Sequence, residues 1–140
     1  MDALILKPYW GKAILYGKDW EIRSRDTKKR GPVAIVTSGD HKVLGFTCIT
    51  DTFKLAPELF NNNRKRHMVK TASFDLLPEN YRNGYVYQFT DTVEILWSVY
   101  YRPKPGAVVW LNNIEDCVQN DKAKFLRISQ EYISRHKEDT

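Results

Sequence analysis

The chain has 140 residues, of which 42% are apolar and 13% aromatic, so it can bury a core and is too apolar for a disordered segment. Its two cysteines, Cys48 and Cys117, and its histidines His41, His67 and His136 have neither metal-ligand nor disulfide-framework spacing. The net charge is +5, no apolar run is long enough to cross a bilayer, and the start, Met1-Asp2-Ala3-Leu4, lacks a signal-peptide pattern. A cytoplasmic protein is expected, with no membrane partner, no metal and no cofactor.

In chain order, the apolar run at 3–6 predicts a short buried strand, broken by Lys7-Pro8. Proline suits the first turn of a helix, and Trp10, Ala13, Ile14 and Gly17 follow at helical spacing, with Gly17 as the stop. A second strand is predicted over 19–25. Its alternation puts Trp20 and Ile22 on one face and Glu21, Arg23 and Arg25 on the other. The charge-free, β-branched run at 32–38 predicts a central strand buried on both faces. Gly39-Asp40 turns the chain into a further strand at 43–50, where Gly45 marks a bulge or a barrel corner. The signal weakens over 55–82, which is expected to be an insertion or exposed loop and the most mobile part of the chain. Strand patterns return at 85–89, 93–101 and 107–111. A last helix follows, capped by Asn120 or Asp121, with Phe125, Leu126, Ile128, Tyr132 and Ile133 mainly on one side.

The expected fold is α+β, mainly β: a small barrel of about six strands with a short helix after the first strand. The barrel domain spans 1–113, and 114–140 forms an added helical extension packed on it. Monomer and dimer are both open.

Two features carry chemistry. Lys18, Glu21 and Arg23 place a cation, an anion and a second cation within six residues, able to line a polar pocket or to form a solvated surface pair. Lysine in a turn removes no core volume, so Lys18→Ala is expected to spare the fold. Basic charge is also gathered in two expected loops, at Lys28, Lys29 and Arg30 and at Arg64, Lys65, Arg66 and His67, with no acid inside either. That distribution suits a polyanion such as nucleic acid, although loops also collect solvated charge.

The ordered motifs resemble those of the ASCH domain, a member of the PUA-like superfamily. The match runs from Leu4-Ile5-Leu6-Lys7-Pro8-Tyr9 through Ala13-Ile14-Leu15 into the signature G-x-K-x-x-E-x-R, on which Lys18, Glu21 and Arg23 fall. Arg30-Gly31-Pro32-Val33-Ala34-Ile35, Val43-Leu44-Gly45, Gly84-Tyr85-Val86-Tyr87 and the closing strand at 108–111 continue it. Glycine here directly precedes the lysine, where the family usually has one residue between them, so the turn is one residue tighter.

The resemblance implies a PUA-like barrel with a cleft beside the signature turn, lined by Lys18, Glu21 and Arg23. Such a cleft suits a nucleobase or nucleotide, with Tyr9, Trp10, Tyr85 and Tyr87 as candidate stacking residues. The implied partner is RNA, single-stranded nucleic acid bearing an ordinary or modified base, or a nucleoside. The alternative is a small hydrolase, resembling N4-acylcytidine amidohydrolases or ribonucleases, with Lys18 and Glu21 catalytic. The amidohydrolase branch carries threonine where this chain has Glu21, and no distant carboxylate can be assigned beyond Glu58 or Glu79. Glu21 would also stabilise the Lys18 ammonium rather than activate it. On that balance binding ranks above catalysis.

Overall fold

The computed structural model describes residues 1–136, so the last four residues of the expected extension lie outside it. Among the described residues, one mixed sheet of six strands carries the architecture, in the order β2-β5-β4-β3-β1-β6. β1 (Ala3–Leu6) leads through α1 (Pro8–Leu15) to β2 (Trp20–Arg23), which crosses to the far edge of the sheet. β3 (Gly31–Thr37) runs parallel to β1 and antiparallel to β4 (Lys42–Lys54). β5 (Tyr85–Tyr100) joins β4 to β2, and the short β6 (Trp110–Leu111) closes the other edge.

The predicted central strand sits where its composition puts it. Val33 and Ile35 face a cluster with Leu4, Leu6 and Ile14 of α1, while Ala34 and Val36 face a second cluster on the opposite side. α5 (Lys122–His136) covers that second side. Phe125 and Tyr132 pack against Phe46, with ring centroids 5.8 and 5.3 Å away. A sheet clothed on both faces needs apolar residues at consecutive positions, and the charge-free run supplies them.

The two long strands do not form a flat ribbon. The β4–β5 register shifts between Val43 and Gly45, between Phe46 and Cys48, and between Ile49 and Asp51, so the pair bends and the sheet curls into a half-barrel. Gly45 allows the closest approach: a Cβ there would lie 2.1 Å from the Val93 carbonyl oxygen. The bulge read from Gly45 is present. The expected strands at 85–89 and 93–101 are one continuous element, whereas the strand read over 107–111 shrinks to two residues.

Among the described residues the hydrogen-bond ladder does not close, because β2 and β6 are both edges. β6 itself pairs with Ala3 and Leu4, and just past its end the Ile5 N–H donates to the Val109 carbonyl at 2.9 Å. There the Arg23 guanidinium reaches across from β2 and donates through Nη2 to the Ile5 carbonyl at 2.8 Å. A side chain, not a strand pair, bridges this seam.

The 55–82 segment is not an exposed loop. It forms α2 (Pro57–Asn62), α3 (Arg64–His67), a 3-10 turn (Phe74–Leu76) and α4 (Glu79–Arg82). Leu55, Phe60 and Leu77 bury themselves against Trp20, Ile22 and Val86, making a third apolar cluster. These few apolar residues, scattered among polar ones, show no helical period, yet they suffice because β2 offers them a ready apolar face. Among the described residues, no helix is long and apolar enough to cross a membrane.

Candidate functional site

Gly17 takes a positive φ of 118°, which stops α1 and swings Lys18 back under the helix. The lysine is 1% exposed. Its ammonium donates to the His67 carbonyl, pairs with Glu21 Oε1 at 3.4 Å, and lies 4.7 Å from the centre of the Trp10 ring. Burial pushes the Lys18 pKa down and the Arg23 charge acts the same way, while Glu21 opposes both.

Glu21 links this interior cation to the surface one. Its second oxygen accepts from Arg23 Nε at 3.0 Å. Arg23 is therefore anchored twice, at Glu21 and at the Ile5 carbonyl, and among the described residues Nη1 has no protein partner. Trp20 and Ile22 are buried on the opposite face, as the alternation of β2 requires.

Two adjoining hollows of about 460 and 440 Å³ follow the seam. Both are lined by Arg23, Tyr81 and Val108, so they form one trough. Arg25 and Tyr87 line one end of it, and Lys7, Trp10, Ser38 and Glu21 line the other. Its charged lining is Lys7, Arg23 and Arg25 against the single acid Glu21, which is already paired. The trough is therefore electropositive and has aromatic walls, a combination suited to an anionic ligand with a flat ring.

The remaining candidates from sequence are spread more widely. Tyr9 is exposed outside the trough, with its ring edge-on to Trp10 at 4.8 Å. Tyr85 is half-buried beneath the Lys54 ammonium. Tyr87 is buried and its hydroxyl donates to the Arg25 carbonyl; burial raises its pKa.

The two basic clusters do not line the trough. Arg64 donates to the Thr71 and Ala72 carbonyls at 2.8 and 2.7 Å, and Arg66 binds Asp19 at 2.9 Å while lying 4.6 Å over the Trp20 ring. His67, grouped with them by sequence, is fully buried. The Val69 N–H donates to its Nδ1 at 2.9 Å, so Nε2 carries the proton and donates to the Phe60 carbonyl at 2.7 Å. Lys29 pairs with Asp2 at 2.7 Å, and Arg30 donates to Thr52 at 2.8 Å. Lys28 and Lys65 are exposed.

Tyr81, Val108, Ser38 and Lys7 line the trough without having been singled out from the sequence as ligand contacts. Tyr81 belongs to the unpatterned 55–82 segment, and Val108 falls in the apolar run at 107–111, whose pattern signals a strand and not a ligand contact. Among the described residues, no group of three or more His, Cys, Asp or Glu side chains is arranged to hold a metal ion.

No family model matches this chain, and no curated protein matches it. Solved structures do. A serine-to-alanine variant of ZmASCH from Zymomonas mobilis is 15% identical with a TM-score of 0.55, over 96% of this chain and 95% of its own. The ASCH protein from Zymomonas mobilis is 17% identical with a TM-score of 0.53, over 89% of this chain and 92% of its own. A tyrosine-to-phenylalanine variant of ZmASCH is also 17% identical, with a TM-score of 0.56 over 89% and 94%. The likeness covers nearly the whole of both chains, and it establishes that this chain has the ASCH fold.

Proposed function

We propose that this ASCH-fold protein binds single-stranded nucleic acid, RNA or DNA, by taking one nucleotide into the seam trough. The observation that carries this reading is Arg23: two of its nitrogens are fixed by Glu21 and Ile5, and the side chain lines both hollows. A guanidinium held in place recognises a phosphate or a base acceptor at less entropic cost than a free one. Trp10 and Tyr81 offer flat surfaces to an unpaired base, and Lys7 and Arg25 supply further phosphate contacts. Lys18 acts from below, holding Glu21 and through it Arg23. This favours binding over hydrolysis, since a nucleophilic or basic Lys18 would have to reach the substrate, and it is enclosed by His67, Glu21 and Trp10.

Fluorescence anisotropy with a labelled single-stranded hexauridylate tests the reading. Affinity should fall with salt by about 0.7 log unit per phosphate contact per decade, and Arg23→Ala should abolish the specific part of binding. Salt-independent binding, or an Arg23→Ala protein that binds like the parent, would overturn it. Turnover of N4-acetylcytidine by Glu21→Thr, which supplies the hydroxyl found in the amidohydrolase branch, would favour the hydrolase alternative.

A further inference from the structure

The outer side of α1 presents a second exposed surface. The segment 7–18 contains three lysines, Lys7, Lys12 and Lys18, and no acid. Lys18 turns inward, while Lys7, Tyr9, Lys12 and Tyr16 are exposed. At about 100° per residue, Tyr9, Lys12 and Tyr16 fall within about 60° of one another, a narrow stripe opposite the buried Gly11 and Ile14. Tyr9 is 59% exposed and Tyr16 75% exposed, large values for aromatic rings on a face with no protein covering it. The stripe is continuous with the trough, because the Tyr9 ring sits edge-on against Trp10 and Trp10 forms part of the trough wall.

We infer that the α1 stripe carries the continuation of the strand whose nucleotide occupies the trough, with Tyr9 and Tyr16 each stacking a base and Lys12 contacting a phosphate on the stretch between them. This rests on the trough reading for the first nucleotide and adds a footprint to it. The occupant follows from charge and shape. A protein partner could cover the tyrosines, but a segment with lysines and no acid, joined to an electropositive trough, complements a polyanion with flat bases. Length sets the extent. Tyr9 and Tyr16 are seven residues apart, about 10 Å along a helix, which matches about three nucleotides at the roughly 3.4 Å stacked spacing.

The test compares uridine 5′-monophosphate with oligouridylates of two, four and six nucleotides by isothermal titration at one salt concentration. Affinity should rise with length and level off near four nucleotides. Tyr16→Ala should leave the mononucleotide affinity unchanged and weaken the hexanucleotide by roughly 5- to 150-fold, the usual range for one lost stacking contact. Tyr9→Ala combined with it should weaken the hexanucleotide further, and Tyr16→Phe should restore it, since the ring and not the hydroxyl is used. Lys12→Gln should lower the salt slope by about 0.7 for the hexanucleotide only. The exposed positions keep these variants folded, which thermal melts would verify.

If the mononucleotide binds through Arg23 but the tyrosine variants bind the hexanucleotide like the parent, the stripe is overturned and the trough stands. If hexanucleotide binding depends on the tyrosines but not on Arg23, the stripe stands and the trough reading falls. Absence of hexanucleotide binding overturns both. Dissociation of a parent dimer by Tyr16→Ala, with nucleotide affinity unchanged, would instead make the stripe a protein interface.

Discussion

A lysine carried into the interior must recover the hydration it gives up, and Lys18 does so with three unlike partners. A backbone carbonyl, a carboxylate and an indole face surround its ammonium. The expectation that Lys18→Ala spares the fold therefore does not survive: the position is a turn in sequence and an interior site in space. Lys18→Ala would open a cavity under Trp10 and leave the buried Glu21 with one cation instead of two. Removing one partner of a buried pair costs about 3 kcal/mol or more, and urea unfolding should register a loss of that size. Lys18→Met keeps the volume and should lose less. A loss under about 1 kcal/mol for the alanine variant would mean that the ammonium is hydrated and the pair weak. Sequence could identify the charged trio but not its depth, because the group that encloses Lys18 comes from His67, 49 positions away.

Elements built from short-range pattern were the legible ones. The strand alternation of β2, the double burial of β3 and the amphipathic last helix each follow from a period of two, an uninterrupted apolar run or a period of 3.6. The 55–82 segment has none of these, and its helices are held by what they touch. His67 is the clearest case, since its ring stacks on Phe60 at 4.4 Å and spends both nitrogens on the backbone. Burial holds its pKa below the ordinary 6.5, helped by the Lys18 and Arg64 charges and opposed by the bond to Phe60. The sign of the consequence is fixed. As pH falls below 6.5 the unfolded chain takes up a proton that the folded one refuses, so stability complete above 6.5 declines toward the lower folded value. Urea midpoints measured from pH 7.5 to 5 should fall in the parent. They should fall less steeply in His67→Gln, whose amide can still donate and accept but does not titrate. Parallel slopes in the two proteins would place the acid sensitivity elsewhere.

At the scale of the whole molecule, the two faces of β3 divide the work. The α5 side is a closed core, and Phe125 at its centre is fully buried. The other side contains the α1 cluster, and beyond it the sheet stops short of closing and leaves the seam. Curling was foreshadowed by Gly45, but the failure to close was not, since the length of β6 depends on tertiary pairing rather than on the apolar run at 107–111. Arg23 both joins the barrel edges and faces the trough. Structure and binding should therefore separate under a pair of substitutions. Arg23→Gln removes charge-assisted bonds to Glu21 and Ile5 worth about 1.5–3 kcal/mol, while every strand ladder and all three apolar clusters remain. It should melt somewhat lower than the parent and lose oligouridylate binding. Phe125→Ala empties the centre of the α5 side and should cost about 3–5 kcal/mol, yet bind oligouridylate like the parent at temperatures where it is folded. If Arg23→Gln retains binding while melting lower, the arginine serves only to hold the seam together, and the reading of the trough as the nucleotide site falls.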